Sequence, residues 1–168
     1  MKNLLSVVAL FVAVFAISCS SNPVESEAYK KMAAGLEELK TNYTTLAGEL
    51  NNLEPAAAEM NAAVGTLATP DSSLNAIVAQ YGEVVAMSKE INTKHAEMMN
   101  AQAELMKSHT TKKMEEITTD FTTMTSEYEQ MMADVNSIKE KAAGLTTAYQ
   151  TAFAAAQAAA TTPANNKK

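Results

Sequence analysis

Two histidines and a concentration of methionines in the second half of the chain have the chemistry of a soft-metal site. Seven of the eleven methionines lie between positions 98 and 132. The segments His95-x-x-Met98 and Met106-x-x-His109 each place an imidazole and a thioether on adjacent turns of one helix face. Nitrogen and sulfur ligands of this kind suit Cu(I) and Ag(I). One hypothesis is therefore metal binding by His95, Met98, Met99, Met106 and His109.

The same residues have a structural interpretation, which we prefer. Methionine commonly fills gaps in helical cores, and polar residues inside a helical stripe commonly determine how helices pair. In this segment the residues at every seventh position are polar, while their neighbours in the stripe stay apolar. They are Ser88, His95, Gln102 and His109.

The only cysteine, Cys19, stands at the end of an N-terminal leader. Lys2 is followed by a largely apolar stretch over residues 4–17, which is shorter than the roughly 20 residues of a membrane span and typical of a signal peptide. Residues 16–19, Ala-Ile-Ser-Cys, resemble the lipobox of bacterial lipoproteins, although Ala16 replaces the usual leucine. The resemblance implies a signal peptide over 1–18, a lipid on Cys19 and a polar tether over 19–27. Ordinary cleavage after Ser18 and an uncleaved anchor are the alternatives.

The charge balance restricts the partners. The formal net charge is −6, so we expect no nucleic-acid partner, because phosphates require a lysine- or arginine-rich face. An acidic chain also lacks the basic surface that binds anionic lipid headgroups, so the lipid must supply membrane attachment. Ser20 follows the cysteine where aspartate would indicate inner-membrane retention, which by resemblance predicts an outer-membrane lipoprotein.

The elements that carry these residues are predicted to be three long helices. Apolar residues alternate in steps of three and four from Tyr29 to Leu67, and two further segments follow similar patterns. Pro55 falls at an outward position, so we expect one kinked helix there, and Thr69 is expected to cap the second helix with Pro70 at its first position. The sequence predicts an all-α, antiparallel three-helix bundle or coiled coil over 28–161. Its arms are 27–67, 70–107 and 111–160, followed by a disordered tail over 162–168.

One alternative architecture joins the last two arms into a single helix of about 90 residues. We disfavour it because the first arm would cover barely half of its apolar stripe. The absence of glycine and proline from Ser108–Thr111 makes this boundary the least marked of the three.

We expect no catalysis, because the sequence contains no phosphate-binding loop, nucleophile elbow, HExxH or CxxC motif. We expect no cofactor apart from the covalent lipid. The mature part resembles small coiled-coil lipoproteins of Bacteroidota, some labelled "viral A-type inclusion protein", through its leader, the AYKKM segment at 28–32 and its Met- and Glu-rich helices. That resemblance implies no activity. The prediction is a lipid-anchored protein that supports or binds another envelope protein.

A further alternative is a tether to peptidoglycan through Lys168. The chain resembles the short murein-linked lipoprotein of the outer membrane in its lipid-modified N-terminus, heptad helix and final lysine. A flexible, solubilising tail is the simpler interpretation of that lysine.

Overall fold

The protein is an all-α helical bundle in a computed structural model that describes residues 22–161. Three long helical arms pack against one another, as predicted, and no strand occurs within the described range. The signal peptide over 1–18, Cys19 and the tail over 162–168 lie outside the described residues. The α-helices are α1 (Glu27–Gly48), α2 (Leu53–Val64), α3 (Ser72–Ser108) and α4 (Met114–Thr161), and the 3-10 segments are Pro23–Glu25, Glu49–Asn52 and His109–Thr111.

The first and second arms run in opposite directions where they meet, as the ring contacts of α1 with α3 show. Tyr29, near the start of α1, contacts His109 just after α3. Fourteen residues later, Tyr43 contacts His95, which lies fourteen residues earlier in the chain than His109. The two segments are therefore antiparallel.

The contacts divide the described residues into two compact units. In the described range, one unit comprises residues 22–46 and 93–133, and the other comprises residues 47–92 and 134–161. In the first arm the boundary falls beside the 3-10 segment Glu49–Asn52. The other two boundaries fall inside the uninterrupted helices Ser72–Ser108 and Met114–Thr161.

The first arm is not the single kinked helix predicted over 27–67. Its α-helical hydrogen bonding ends at Gly48, passes through a tighter 3-10 segment, and resumes at Leu53. Pro55 explains the interruption, because it has no N–H and its ring clashes with the carbonyl four residues earlier. The apolar stripe nevertheless continues across the break, since Leu50, Leu53 and Met60 are all buried.

The helix α3 begins two residues later than predicted because Asp71, not Thr69, caps it. The Asp71 carboxylate accepts hydrogen bonds from the backbone N–H of Ser73 at 2.8 Å and of Leu74 at 3.0 Å. These bonds satisfy N–H groups that lack a partner at any helix start. The cap fixes the position of Leu74, which is fully buried.

The turn predicted at 108–111 is present, so the second and third arms are separate helices. The helix α3 ends at Ser108, a 3-10 turn covers His109–Thr111, and α4 begins at Met114. This turn packs beside the N-terminal 3-10 turn, Pro23–Glu25. Between residues 22 and 161, no helix combines the length and the hydropathy needed to cross a membrane.

Candidate functional site

The four polar residues at every seventh position of the second arm face the packed interior. Ser88, Gln102 and His109 are buried, and His95 is half-buried. Ser88 donates to the carbonyl of Val85 at 2.7 Å, and the Gln102 amide donates to the Glu127 carboxylate at 2.8 Å. Burying a polar group without a hydrogen bond is costly, so the partners of these residues explain how the interior tolerates them.

His109 is the most buried of the four, and oxygen atoms engage both of its ring nitrogens. Nε2 lies 3.2 Å from Asp120 Oδ2, and Nδ1 lies 3.4 Å from the Tyr29 hydroxyl. Lys112 donates to the same Asp120 oxygen at 2.6 Å. Because an ionised carboxylate only accepts, Nε2–H donates to Asp120, and neutral Nδ1 accepts from Tyr29.

Aromatic rings complete the surroundings of His109. The Tyr29 ring stands edge-on to it at 5.7 Å between centroids, and the Phe121 ring lies at 5.4 Å. Tyr29 and Phe121 also contact each other at 5.4 Å. The imidazole thus connects α1, the turn after α3 and the start of α4 by hydrogen bonds and ring contacts.

Tyr29, His109 and Asp120 are hydrogen-bonded in series, as are the nucleophile, the general base and the orienting carboxylate of a catalytic triad. An activated tyrosine would need a lowered pKa, whereas burial raises the pKa of Tyr29. Asp120 is also shared with the Lys112 ammonium group. We therefore interpret this network as a structural connection between helices.

His95 occupies a different layer, among tyrosines. Its ring lies 4.2 Å from that of Tyr43 and 6.0 Å from that of Tyr128, measured between centroids. Two buried polar atoms here, His95 Nε2 and Tyr43 Oη, have no hydrogen-bond partner. Tyr128 Oη donates to Met99 Sδ at 2.7 Å. This layer combines a free imidazole nitrogen with a nearby thioether.

Burial favours the uncharged forms of the imidazole and the tyrosines in this layer. Burial, with a smaller contribution from the positive charge of Lys40, lowers the pKa of His95. Burial raises the pKa of Tyr43. Burial, followed by the charge of Glu37, raises the pKa of Tyr128 to about 12. A neutral imidazole is the form that binds a metal ion.

The five predicted metal-site residues are not assembled into one site. His95 and His109 have different ring neighbours and lie in separate layers. The tyrosine layer links His95 with Met99, while Met98 and Met106 are half-buried and oxygen atoms engage the nitrogens of His109. In residues 22–161, no three His, Cys, Asp or Glu side chains group as a metal site.

Sequence reasoning missed the residues that surround the two histidines. Tyr29, Tyr43 and Tyr128 lie in the apolar stripes, which predict only that these side chains are buried. Nothing in the spacing distinguishes Asp120 or Lys112 from other charged residues of the helices. Spacing along one helix identifies its buried face, but it does not specify which side chain of another helix lies opposite.

No family model, no curated protein and no solved structure matches this chain.

Acidification is expected to lower the free energy of unfolding. Burial is the largest cause that lowers the pKa of His95 and His109 below the ordinary 6.5, although Asp120 opposes the shift at His109. Below pH 6.5 the unfolded chain then binds more protons than the folded chain. This stability is complete above 6.5 and is lost as pH falls through the folded-state pKa values. Urea unfolding followed by circular dichroism at about pH 7 and about pH 5.5 would measure the change.

The matched control is the double variant His95→Gln, His109→Gln, whose difference in unfolding free energy between the two pH values should be smaller. Comparing each protein with itself removes the effect of the substitutions on stability at pH 7. A wild-type protein equally stable, or more stable, at the lower pH would contradict the prediction.

Proposed function

We propose that this chain is an exported bacterial lipoprotein whose helical bundle supports or binds another protein of the cell envelope, without catalysis. The observation that carries the proposal is the position of its only cysteine. Cys19 stands where the lipobox resemblance requires the modified residue, directly after a short apolar leader. An exported thiol without a second cysteine has no intramolecular disulfide partner, which favours its use as the lipid attachment point.

The start of the folded region supports this proposal. Asn22 caps the first 3-10 turn by accepting from the N–H of Val24, and Ser26 caps α1 by accepting from the N–H of Tyr29. Asn22 follows Cys19 by three residues, which span at most about 11 Å. The regular structure thus includes part of the tether predicted over 19–27. A lipid on Cys19 would hold this end of the protein close to the bilayer surface.

The charge supports attachment through lipid rather than through surface charge. The chain has 13 lysines and arginines against 19 acidic residues, and Lys2 belongs to the predicted leader. Each buried methylene group of an acyl chain contributes about 0.8 kcal/mol, so two or three chains hold a protein firmly. Ser20 stands where an aspartate would indicate inner-membrane retention, which by resemblance to bacterial lipoproteins favours the outer membrane as the destination.

The buried polar residues support a role in assembly rather than in catalysis. Gln102 and His109 form hydrogen bonds between helices, and the raised pKa of Tyr29 opposes its use as a nucleophile. Ion pairs such as Lys89–Glu54 lie on exposed helix surfaces. Groups of these kinds stabilise a helical framework that presents its outer faces to a partner.

The proposal is tested by the mass of the N-terminal peptide of the full chain, expressed in a bacterial host and purified from its membranes. We expect a peptide that begins at Cys19 and carries a diacylglyceryl group, with or without a third acyl chain on its amine. A peptide that begins at Cys19 without lipid, or that retains Met1, would contradict lipid anchoring. Lysine-directed crosslinking in intact cells then tests for partners: a discrete heterologous adduct is expected, and its absence opposes partner binding.

A further inference from the structure

We propose that the layer of Tyr43, His95, Met99 and Tyr128 binds one Cu(I) or Ag(I) ion, with His95 Nε2 and Met99 Sδ as its ligands. This inference concerns a second property of the protein and does not depend on the lipid. Of the five metal ligands that the sequence pattern suggests, this proposal keeps two, His95 and Met99.

The first argument is the contrast among the polar residues of the second arm. Ser88, Gln102 and His109 each form hydrogen bonds in the interior. His95 Nε2 is buried and has no such partner. Leaving a buried polar atom unsatisfied costs about 1–3 kcal/mol, so an imidazole kept in this position calls for an additional role. Coordination of a metal ion would satisfy the nitrogen.

The second argument is that the His95 ring and the Met99 sulfur both contact one tyrosine. Met99 follows His95 by four residues in α3, a spacing that places their Cβ atoms about 5–6 Å apart on one face. Met99 Sδ contacts the Tyr128 hydroxyl, and the His95 ring lies edge-on to the Tyr128 ring. Both donor groups therefore face the same side chain of α4.

The third argument concerns the kind of metal. A thioether and an imidazole are soft or borderline ligands, and they prefer Cu(I) or Ag(I) to hard cations. The positive charge of Lys40 acts on His95, and it opposes a divalent ion more strongly than a monovalent one.

The other His/Met pair is less suited to the role. His109 Nε2 donates to Asp120, and its Nδ1 accepts from Tyr29. A metal ion would have to displace one of these partners from a residue that is fully buried. Met106 therefore offers a matched control for Met99, because both are half-buried methionines of α3.

The test is a titration with Ag(I) of the Cys19→Ala chain and of variants made in that background, because a free Cys19 thiol would itself bind Ag(I), followed by calorimetry and by tyrosine fluorescence. We expect one ion per chain. Met99→Leu keeps the apolar volume and removes the sulfur, and His95→Phe keeps an aromatic ring and removes the nitrogen. Each should weaken the affinity at least about tenfold, whereas Met106→Leu should leave it unchanged.

A measurement on the Cys19→Ala chain alone keeps the test valid if a variant fails to fold. With ¹³C-labelled methionine methyl groups, Ag(I) should shift the Met99 resonance and leave that of Met106 in place. The proposal is overturned if Ag(I) does not bind at one ion per chain, if Met99→Leu and His95→Phe bind as tightly as the Cys19→Ala chain, or if Met106→Leu weakens binding instead. The mass of the N-terminal peptide is unaffected by any of these results, so the two proposals fail separately.

Discussion

Replacing Cys19 with alanine is expected to move the protein from the membrane fraction to the soluble fraction almost completely. The substitution removes the only thiol that can carry a lipid. Two acyl chains contribute about 0.8 kcal/mol for each buried methylene group, far more than an acidic surface can replace. Ordinary signal peptidase can still cut after Ser18, since Ala16 and Ser18 are both small. Fractionation of cells and immunoblotting of the two fractions would measure the change.

The control is Ser20→Ala, which leaves the cysteine intact and should remain with the membrane. If Cys19→Ala also stays in the membrane fraction, the leader is an uncleaved anchor and the lipid proposal is wrong. If the wild-type protein is itself soluble, ordinary cleavage without lipid is the better interpretation. The experiment therefore separates all three interpretations of the leader.

Replacing Phe121 with alanine is expected to lower the free energy of unfolding by about 3–5 kcal/mol. Phe121 is fully buried, and its ring packs against both Tyr29 and His109. Its removal leaves a cavity beside the hydrogen bonds of His109, which depend on the rings around them for their position and for exclusion of water. Urea unfolding followed by circular dichroism would measure the loss.

The adjacent residue supplies the control for this experiment. Thr122 is exposed, and its hydroxyl donates only to the carbonyl of Thr118 on the same helix. Thr122→Ala should change the free energy of unfolding by less than about 0.5 kcal/mol. A loss below about 1 kcal/mol for Phe121→Ala would show that the ring cluster stabilises the protein far less than its burial implies.

The helical architecture was predictable because it depends on a repeating pattern. Steps of three and four between apolar residues identify one face of a helix, and residues such as Tyr43, Leu74 and Val135 are indeed buried. A single departure from the pattern is harder to predict. Pro55 lies outside the apolar stripe, so the stripe gave no sign that the chain would adopt a 3-10 segment before it.

The candidate site was only partly predictable, for a related reason. The positions of His95 and Met99 on one helix face follow from their spacing. Their environment depends on Tyr43 and Tyr128, which are distant in sequence. Packing between helices brings these two tyrosines against the His95 ring. The same holds for Asp120, whose carboxylate distinguishes His109 from His95. The sequence offers two residues that could cap α3, Thr69 and Asp71. The structure uses Asp71, whose carboxylate accepts from two backbone N–H groups.

The hydrogen bonds from Gln102 and His109 have a consequence for the accuracy of folding. An apolar heptad stripe looks almost the same after a slip of seven residues, so it leaves several alignments of two helices nearly equal in energy. Such a slip would carry Gln102 away from Glu127 and His109 away from Asp120. Asp120 and Glu127 are themselves seven residues apart, so a slip in one direction would place Gln102 opposite Asp120 but His109 opposite Lys113. The imidazole would then lose its acceptor, at a cost of about 1–3 kcal/mol. The pairing of His109 with Asp120 thus opposes a slip of the helices in that direction.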